Sequence, residues 1–272
     1  MASHRVAIPF AGRTIEIEHA WVGAAADDVP LLVFLHEGLG SVAMWRDWPA
    51  SLCETAGYAG LVYSRYGYGR STPRPAHERW SPRFMHDQAE QALPSLLAAL
   101  RLGGRRPWLV GHSDGASIAL VHATRHPDAV SGVVAIAPHI RVEDISIASI
   151  ERARDAYRTT DLRQRLARYH ADPDSAFWGW NDAWLAPEFR DWSIEAMLDE
   201  LRCPVLAVQG VDDEYGTLAQ IEGIRRRAPQ TELLVLERCG HSPHRDRPEA
   251  LTQAIIDFIG RHTAGNRGGG AS

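Results

Sequence analysis

Residues 108–117 have the sequence Trp-Leu-Val-Gly-His-Ser-Asp-Gly-Ala-Ser. An apolar stretch that predicts a strand comes before Gly-x-Ser-x-Gly, and an alanine-rich run that predicts a helix follows it, from Ala116 to Arg125. This pattern is typical of a nucleophile elbow, a tight strand-to-helix turn whose strained central residue exposes its side chain. Gly111 and Gly115 supply the small residues that such a turn needs. The alternative is a plain glycine-rich loop, but the flanking patterns favour Ser113 as a nucleophile.

Partners for this serine lie near the end of the sequence. A serine hydroxyl is a weak nucleophile near neutral pH, so it needs a base that takes its proton and a third group that orients the base. Asp212 and Asp213 follow one predicted buried strand, and His241 and His244 follow the next. The order along the chain is therefore Ser, Asp, His, which differs from the orders of the two familiar serine protease types.

With these motifs the chain resembles the α/β-hydrolase superfamily, from about Ile15 to Ile259. In that family the acid usually comes three residues after the glycine that closes its strand, which implies Asp213. The base is the histidine of a Gly-His-Ser-Pro turn, which implies His241. Asp212 stays open as the alternative acid, and its non-catalytic interpretation is a solvated or helix-capping carboxylate. His244 is the alternative base, but it is expected to be a cap or a polar group of the pocket.

The resemblance also implies two backbone N–H donors for the oxygen that becomes negative during acyl transfer. The first belongs to Asp114. The second follows the predicted strand Leu31 to Leu35, and counting from His36 gives Gly38 as the donor. Glu37 stands where relatives commonly have glycine, and it remains an alternative donor. Its side chain either faces solvent or turns into the cleft, where it would pair with an Arg or orient water, and both His36 and Glu37 are candidate substrate-binding residues.

A second loop also matches the family's pattern in part. Residues 64–71 resemble its Gly-x-Gly-x-Ser loop, but Ser64 stands where an Asp is common. The predicted role of this loop is structural.

The rest of the sequence predicts the fold class. A hairpin is expected from Arg5 to Ala11 and Thr14 to Val22, with its turn at Gly12-Arg13. Strand and helix patterns then alternate, which predicts an α/β fold with a mostly parallel twisted sheet and helices on both faces. The predicted strands are Leu31 to Leu35, Gly60 to Ser64, Trp108 to Gly111, Gly132 to Ala137, Pro204 to Gln209 and Glu232 to Leu236.

One segment, residues 141–201, interrupts the alternation and predicts an inserted helical cap. Residues 1–140 and 202–264 form the predicted α/β-hydrolase core, and 265–272 a flexible tail. The cap is rich in aromatic residues, most of which are expected to pack it against the core. One or two should nevertheless line the substrate pocket, and the candidates are Trp178, Trp180 and Trp184. His139 either faces the cleft or is structural.

Composition excludes several classes of function. The chain has 272 residues, 45% of them hydrophobic, which is enough to bury a large core in one domain. Its net charge of −5 means that it has no excess of basic residues of the kind that binds nucleic acid or a membrane surface. Three widely spaced cysteines argue against a disulfide framework and a zinc site. No signal peptide or apolar membrane segment is recognisable. We expect a cytoplasmic monomer or homodimer without metal or organic cofactor.

The predicted activity is hydrolysis of a carboxylic ester through an acyl-enzyme. The aromatic cap suggests a bulky or cyclic apolar ester as the small-molecule substrate, including a lactone of the macrolide type. The resemblance leaves other reactions open, since the same triad serves carbon-carbon bond hydrolases and thioesterases. Serine at the elbow argues against the haloalkane dehalogenases and epoxide hydrolases of the superfamily, which have Asp there. A small-molecule receptor is the alternative from another class, and a complete triad favours the enzyme.

Overall fold

The computed structural model describes residues 2–267 and contains an eight-stranded sheet. Its strands are β1 (His4–Phe10), β2 (Arg13–Gly23), β3 (Leu31–Leu35), β4 (Ala59–Tyr63), β5 (Trp108–His112), β6 (Gly132–Ile136), β7 (Val205–Gly210) and β8 (Thr231–Leu236). The order across the sheet is β1-β2-β4-β3-β5-β6-β7-β8. β2 is antiparallel to both of its neighbours, and all other neighbouring strands are parallel. The predicted fold class is confirmed.

Helices connect the strands and cover both faces of the sheet. They are α1 (Trp48–Ala56), α2 (Phe84–Asp87), α3 (Leu93–Ala99), α4 (Asp114–Arg125), α5 (Asp144–Thr159), α6 (Leu162–Leu166), α7 (Pro173–Trp184), α8 (Ala219–Arg227), α9 (Pro243–Asp246) and α10 (Pro248–Arg267). A π-helical turn, Gln88–Ala92, joins α2 to α3, and 3₁₀ turns occupy Pro187–Phe189 and Glu195–Glu200. No helix within residues 2–267 is both long and apolar enough to cross a membrane.

The insertion between β6 and β7 is helical, as the sequence suggests. It contains α5, α6, α7 and both 3₁₀ turns. That residues 141–201 form a separate cap with these bounds stays a prediction. At the end of the chain α10 continues to Arg267, so the first three residues of the predicted tail are helical, and 268–272 lie outside the described residues.

The sheet separates two hydrophobic clusters, one on each face. Alternate side chains of a strand point to opposite faces, and all five residues of β3 are buried. Leu31, Val33 and Leu35 belong to the cluster that α3, α4, α8 and the insertion cover. Leu32 and Phe34 belong to the cluster that α1 and α10 cover. Burial on both faces explains why these strands are continuous apolar runs in the sequence.

The predicted parallel strands agree with the observed ones to within one residue at each end. The hairpin is also confirmed, but its turn is one residue earlier than predicted. Ala11 and Gly12 form the turn, with positive φ angles of 48° and 76°. A two-residue turn of this kind matches the twist of the flanking strands, so Arg13 already pairs with Phe10.

A buried carboxylate holds the loop that follows β4. Ser64 Oγ accepts the N–H of Val42 (2.9 Å) and donates to Glu18 Oε2 (2.7 Å). The same Glu18 oxygen accepts the N–H of Arg70 (2.8 Å), and Glu18 is only 4% exposed. The loop therefore has a carboxylate partner although Ser64 stands where an Asp is common. The carboxylate comes from β2, the adjacent strand of the sheet.

Substitution of Glu18 tests this contact. Glu18→Ala leaves the buried hydroxyl of Ser64 and the partly buried N–H of Arg70 without this acceptor, which should lower the free energy of unfolding by about 1 to 3 kcal/mol. Glu18→Gln keeps an acceptor oxygen and should lose less. Urea denaturation of the three proteins measures both changes. Equal stability of Glu18→Ala and the unsubstituted protein would show that this carboxylate does not hold the loop.

Candidate active site

Ser113 lies at a sharp turn between β5 and α4. Its φ and ψ angles are 54° and −120°, a backbone conformation that residues other than glycine rarely adopt. The two flanking glycines allow it. A Cβ on Gly111 would collide with the backbone of Gly115, and a Cβ on Gly115 would collide with the carbonyl of Leu35. The predicted elbow therefore has the strained geometry and the close backbone approaches that its glycines suggested.

Ser113, His241 and Asp213 form one chain of hydrogen bonds. His241 Nε2 is 3.0 Å from Ser113 Oγ, and His241 Nδ1 is 2.9 Å from both carboxylate oxygens of Asp213. The Asp213 carboxylate is fully buried and accepts two further bonds, from the N–H of Tyr215 (2.8 Å) and from Gln209 Nε2 (2.6 Å). Each member follows the carboxyl end of a parallel strand, β5, β7 or β8.

The surroundings of Asp213 determine its charge. Burial opposes ionisation, but the hydrogen bond and charge of His241, together with the Tyr215 N–H, hold the pKa of Asp213 below its usual value. Asp213 is therefore a carboxylate near neutral pH. A carboxylate at Nδ1 keeps the proton of neutral His241 on that nitrogen and leaves Nε2 free to accept the proton of Ser113.

The two alternative residues lie elsewhere. Asp212 is exposed, and among residues 2–267 only its backbone N–H is hydrogen-bonded, to the carbonyl of Cys239 (2.9 Å). His244 is buried, with its ring 4.9 Å from that of His112 and 5.0 Å from that of Trp45. Burial, followed by the charge of His112, lowers the pKa of His244 to about 2. Neither side chain hydrogen-bonds to Ser113 or His241 in the described part of the chain.

A cavity of about 100 Å³ lies beside Ser113. Its apolar wall consists of Leu39, Ile150, Trp180, Trp184 and Tyr215. Tyr215 and Ile150 were not expected from the sequence. The Tyr215 ring lies 4.6 Å from that of His241, and its only signal in the sequence is its position two residues after Asp213. Ile150 is one of many apolar residues on the insertion.

The three candidate tryptophans of α7 do not share one environment. Trp180 and Trp184 line the cavity, whereas Trp178 lies on the other side of α7, where Arg158 stacks on its ring at 5.3 Å. Residues four apart occupy the same face of a helix, and residues two apart point to opposite sides. The prediction that Trp178 borders the cleft is therefore wrong. Trp184 also donates its indole N–H to Asp114 Oδ1 (3.1 Å).

The two predicted donors of the oxyanion hole border the same cavity. Asp114 is the first residue of α4, so its N–H has no acceptor within the helix. The N–H of Gly38 likewise has no hydrogen-bond acceptor among residues 2–267. A Cβ on Gly38 would collide with the Trp180 indole, which explains why glycine occupies this position. Both N–H groups are thus available to a ligand oxygen.

His36 and Glu37 differ in their access to the cleft. His36 is fully buried and does not border the cavity. The Glu37 side chain does border it, and its Oε2 lies 3.5 Å from His112 Nδ1. Burial disfavours the charged form of Glu37, but the hydrogen bond and the charge of His112 hold the pKa of this carboxyl group well below its usual value. The carboxylate therefore turns inward, and its partner is a histidine rather than an Arg. His112 Nε2 donates in turn to the carbonyl of His241 (2.6 Å).

One further histidine forms part of the cavity wall. His139 borders the cavity, with its ring 4.9 Å from that of Trp184, and burial lowers its pKa to about 3. His139 is thus a neutral wall residue near pH 7. Within residues 2–267, no group of three or more His, Cys, Asp or Glu side chains is arranged to hold a metal ion.

A parallel α/β sheet with a serine at a nucleophile elbow, and with Asp and His at later strand ends, defines a class of hydrolases. A sequence model of the protein family described as "Alpha/beta hydrolase family" matches residues 32–254 of the chain. The chain therefore belongs to the alpha/beta hydrolase family.

Individual relatives have different reactions in their names. The chain is 25% identical to the "Putative carbamate hydrolase RutD" of Caulobacter sp. (strain K31), over 85% of this chain and 91% of the relative. It is 26% identical to the "2-succinyl-6-hydroxy-2,4-cyclohexadiene-1-carboxylate synthase" of Enterobacter sp. (strain 638), over 85% and 92%. Among solved structures, a thermophilic esterase from Thermogutta terrifontis has a TM-score of 0.74 at 19% identity, covering 96% of this chain and 99% of that one. This last similarity shows the fold alone.

The choice between the adjacent carboxylates can be tested through the reactivity of Ser113. Asp213→Asn removes the charge and favours the wrong tautomer of His241, so labelling of Ser113 by an organophosphonate should slow by about 10² to 10⁴-fold. Asp212→Asn is the matched control and should label at the rate of the unsubstituted protein. Mass spectrometry of the labelled peptide over time measures both rates. A larger effect at Asp212 would shift the assignment by one residue.

Proposed function

We propose that this hydrolase cleaves carboxylic esters through an acyl-enzyme. The observation that carries the proposal is the hydrogen-bonded chain from Asp213 through His241 to Ser113, beside the free N–H groups of Gly38 and Asp114. Family membership supports hydrolysis, but it leaves the reaction open, because relatives of similar identity are named for carbamate cleavage and for a synthase reaction.

Each group has a defined part in the reaction. His241 Nε2 takes the proton of Ser113 as Oγ attacks the ester carbon, and the carbonyl oxygen becomes negative. The N–H groups of Gly38 and Asp114 stabilise that oxygen, and one such donor contributes roughly 3 to 4 kcal/mol. His241 then protonates the alcohol oxygen as it leaves. In the second half, water gives a proton to His241 and attacks the acyl carbon. His241 then returns the proton to Ser113 Oγ as the acid leaves, and the carboxylate of Asp213 stabilises the imidazolium in both halves.

The size and lining of the cavity restrict the acyl group. Pockets that enclose drug-sized ligands measure about 300 to 1,000 Å³, whereas the space beside Ser113 is about 100 Å³. We therefore propose apolar esters with a short acyl group as substrates of the described conformation. The bulky or cyclic esters that the aromatic cap suggests, lactones included, require Trp180 to move away from Gly38.

Removal of the nucleophile tests the proposed activity. Ser113→Ala should lower the hydrolysis of p-nitrophenyl acetate and butyrate by about 10³-fold or more, because only the reacting oxygen is lost. Esters, lactones and thioesters should be assayed in parallel with both proteins, and circular dichroism should show an unchanged fold. Turnover that persists in Ser113→Ala contradicts the assignment. No turnover by the unsubstituted protein would favour the receptor alternative.

The opposite sides of α7 provide a matched test of acyl selectivity. Trp180→Ala enlarges the cavity, so the ratio of kcat/KM for p-nitrophenyl octanoate to that for acetate should rise by about 10- to 150-fold, equivalent to about 1.4 to 3 kcal/mol. Trp178→Ala removes an indole of equal size from the outer side and should leave the ratio unchanged. Thermal unfolding of both variants separates selectivity from stability. Equal shifts in the two variants would mean that Trp180 acts only through packing.

A further inference from the structure

The peptide between Glu37 and Gly38 is held on its carbonyl side. The Glu37 oxygen accepts hydrogen bonds from His36 Nδ1 (2.7 Å), from Arg65 Nη2 (2.7 Å) and from the Gly40 N–H (3.1 Å). A trans peptide is planar, and its N–H points away from its carbonyl oxygen. Because donors hold the oxygen on one side, the Gly38 N–H is directed to the other side.

The two ends of the His36 ring have fixed roles. Its Nε2 accepts the backbone N–H of Arg65 (2.9 Å), so the proton is on Nδ1, where it is donated to Glu37. Burial, followed by the charge of Arg65, lowers the pKa of His36 well below its usual value. His36 is therefore neutral, and Arg65 supplies the charged donor on this peptide.

Arg65 also contacts Asp114, the residue that carries the other proposed donor. Its side chain is 1% exposed, and its guanidinium lies 4.6 Å above the Tyr68 ring. The same Nη2 that binds the Glu37 carbonyl is 3.7 Å from Asp114 Oδ2. One guanidinium therefore contacts the peptide of Gly38 and the side chain of Asp114, whose N–H groups are the two proposed donors.

Stability is a poor explanation for this arrangement. Within residues 2–267, Arg65 Nε and Asp114 Oδ2 have no hydrogen-bond partner, although both are buried. Burial raises the pKa of Asp114, and the charge of Arg65 lowers it by less than burial raises it. A buried ion pair that is long and incompletely hydrogen-bonded recovers little of its desolvation cost. The pair is better suited to placing a charge and orienting a peptide than to stabilising the fold.

We propose that Arg65 is a positioning residue of the oxyanion hole, an inference that rests on the proposed ester hydrolysis. Its guanidinium holds the Glu37 carbonyl so that the Gly38 N–H faces the reacting oxygen, and it places a positive charge behind both donors. That oxygen is negative only in the transition state and the tetrahedral intermediate. The effect of Arg65 therefore falls on kcat and leaves KM nearly unchanged.

Two substitutions separate the roles of charge and shape. Arg65→Met replaces the guanidinium by an apolar side chain, and Arg65→Lys keeps a positive charge and a donor. For p-nitrophenyl acetate we expect kcat to fall by about 10 to 100-fold in Arg65→Met and by less in Arg65→Lys, with KM within about threefold.

Inhibitor binding distinguishes positioning from a structural role. Ser113 Oγ adds to the carbonyl carbon of a trifluoromethyl ketone, its proton passes to His241, and the ketone oxygen becomes negative in the oxyanion hole. The inhibition constant of this ketone should rise by the factor by which kcat/KM falls. An unreactive amide analogue of the ester never carries this charge, and its inhibition constant should not change. Loss of folded protein lowers kcat but changes neither inhibition constant.

Arg74→Met is the matched control. Arg74 is also buried, lies 5.9 Å from the Trp80 ring and donates to the carbonyl of Pro75 (3.1 Å), but it hydrogen-bonds to neither Glu37 nor Asp114. Its substitution should leave the inhibition constant of the ketone unchanged.

The outcomes are distinct. An unchanged ketone inhibition constant in both Arg65 variants, or an equal rise in Arg74→Met, would overturn the inference. If Arg65→Met does not fold, the test depends on Arg65→Lys alone. A rise of more than about threefold in the ketone inhibition constant of Arg65→Lys supports the inference, and a smaller rise overturns it. If the unsubstituted protein shows no Ser113-dependent hydrolysis, the proposed function fails and this inference fails with it.

Discussion

The close approach of α4 to the end of β3 is the contact on which the site depends. Gly115 lies so near the carbonyls of Leu35 and His36 that no Cβ fits between them. This approach allows the strained backbone of Ser113, and it also brings the loop after β3 beside the nucleophile. The elbow and Gly38, the second proposed oxyanion donor, are therefore placed by one backbone contact. A substitution that separates α4 from β3 would displace the serine and Gly38 together.

Much of the site could be predicted from the sequence because its members follow strands that are unambiguous. The strands are continuous apolar runs, and their carboxyl ends meet at one edge of the sheet. That rule is sufficient to collect Ser113, Asp213 and His241. It does not say which of two adjacent aspartates turns inward. The resemblance favoured Asp213, and the structure adds the physical reason, because Gln209 and Tyr215 provide donors for that carboxylate.

The features that the sequence did not predict depend on contacts between distant segments. Glu18 supplies a carboxylate to a loop more than forty residues away, and no local pattern marks it. Arg65 lies in a loop with a recognisable motif, but its contact with the Glu37 carbonyl requires the tertiary structure. The position of Trp178 was predicted wrongly for a local reason. The aromatic cluster was treated as one group, whereas the helical period places Trp178 opposite to Trp180.

The same helical period brings one face of α7 against both proposed donors of the oxyanion hole. Trp180 packs on Gly38, and Trp184, four residues later, donates to the side chain of Asp114. A single helix face thus contacts both residues that provide donors. An ester too large for the cavity has to displace this face, and displacement removes the support of the donors at the moment when charge develops. In the proposed mechanism, acyl selectivity and transition-state stabilisation are therefore coupled through α7, and a substrate that moves Trp180 should lose rate as well as binding.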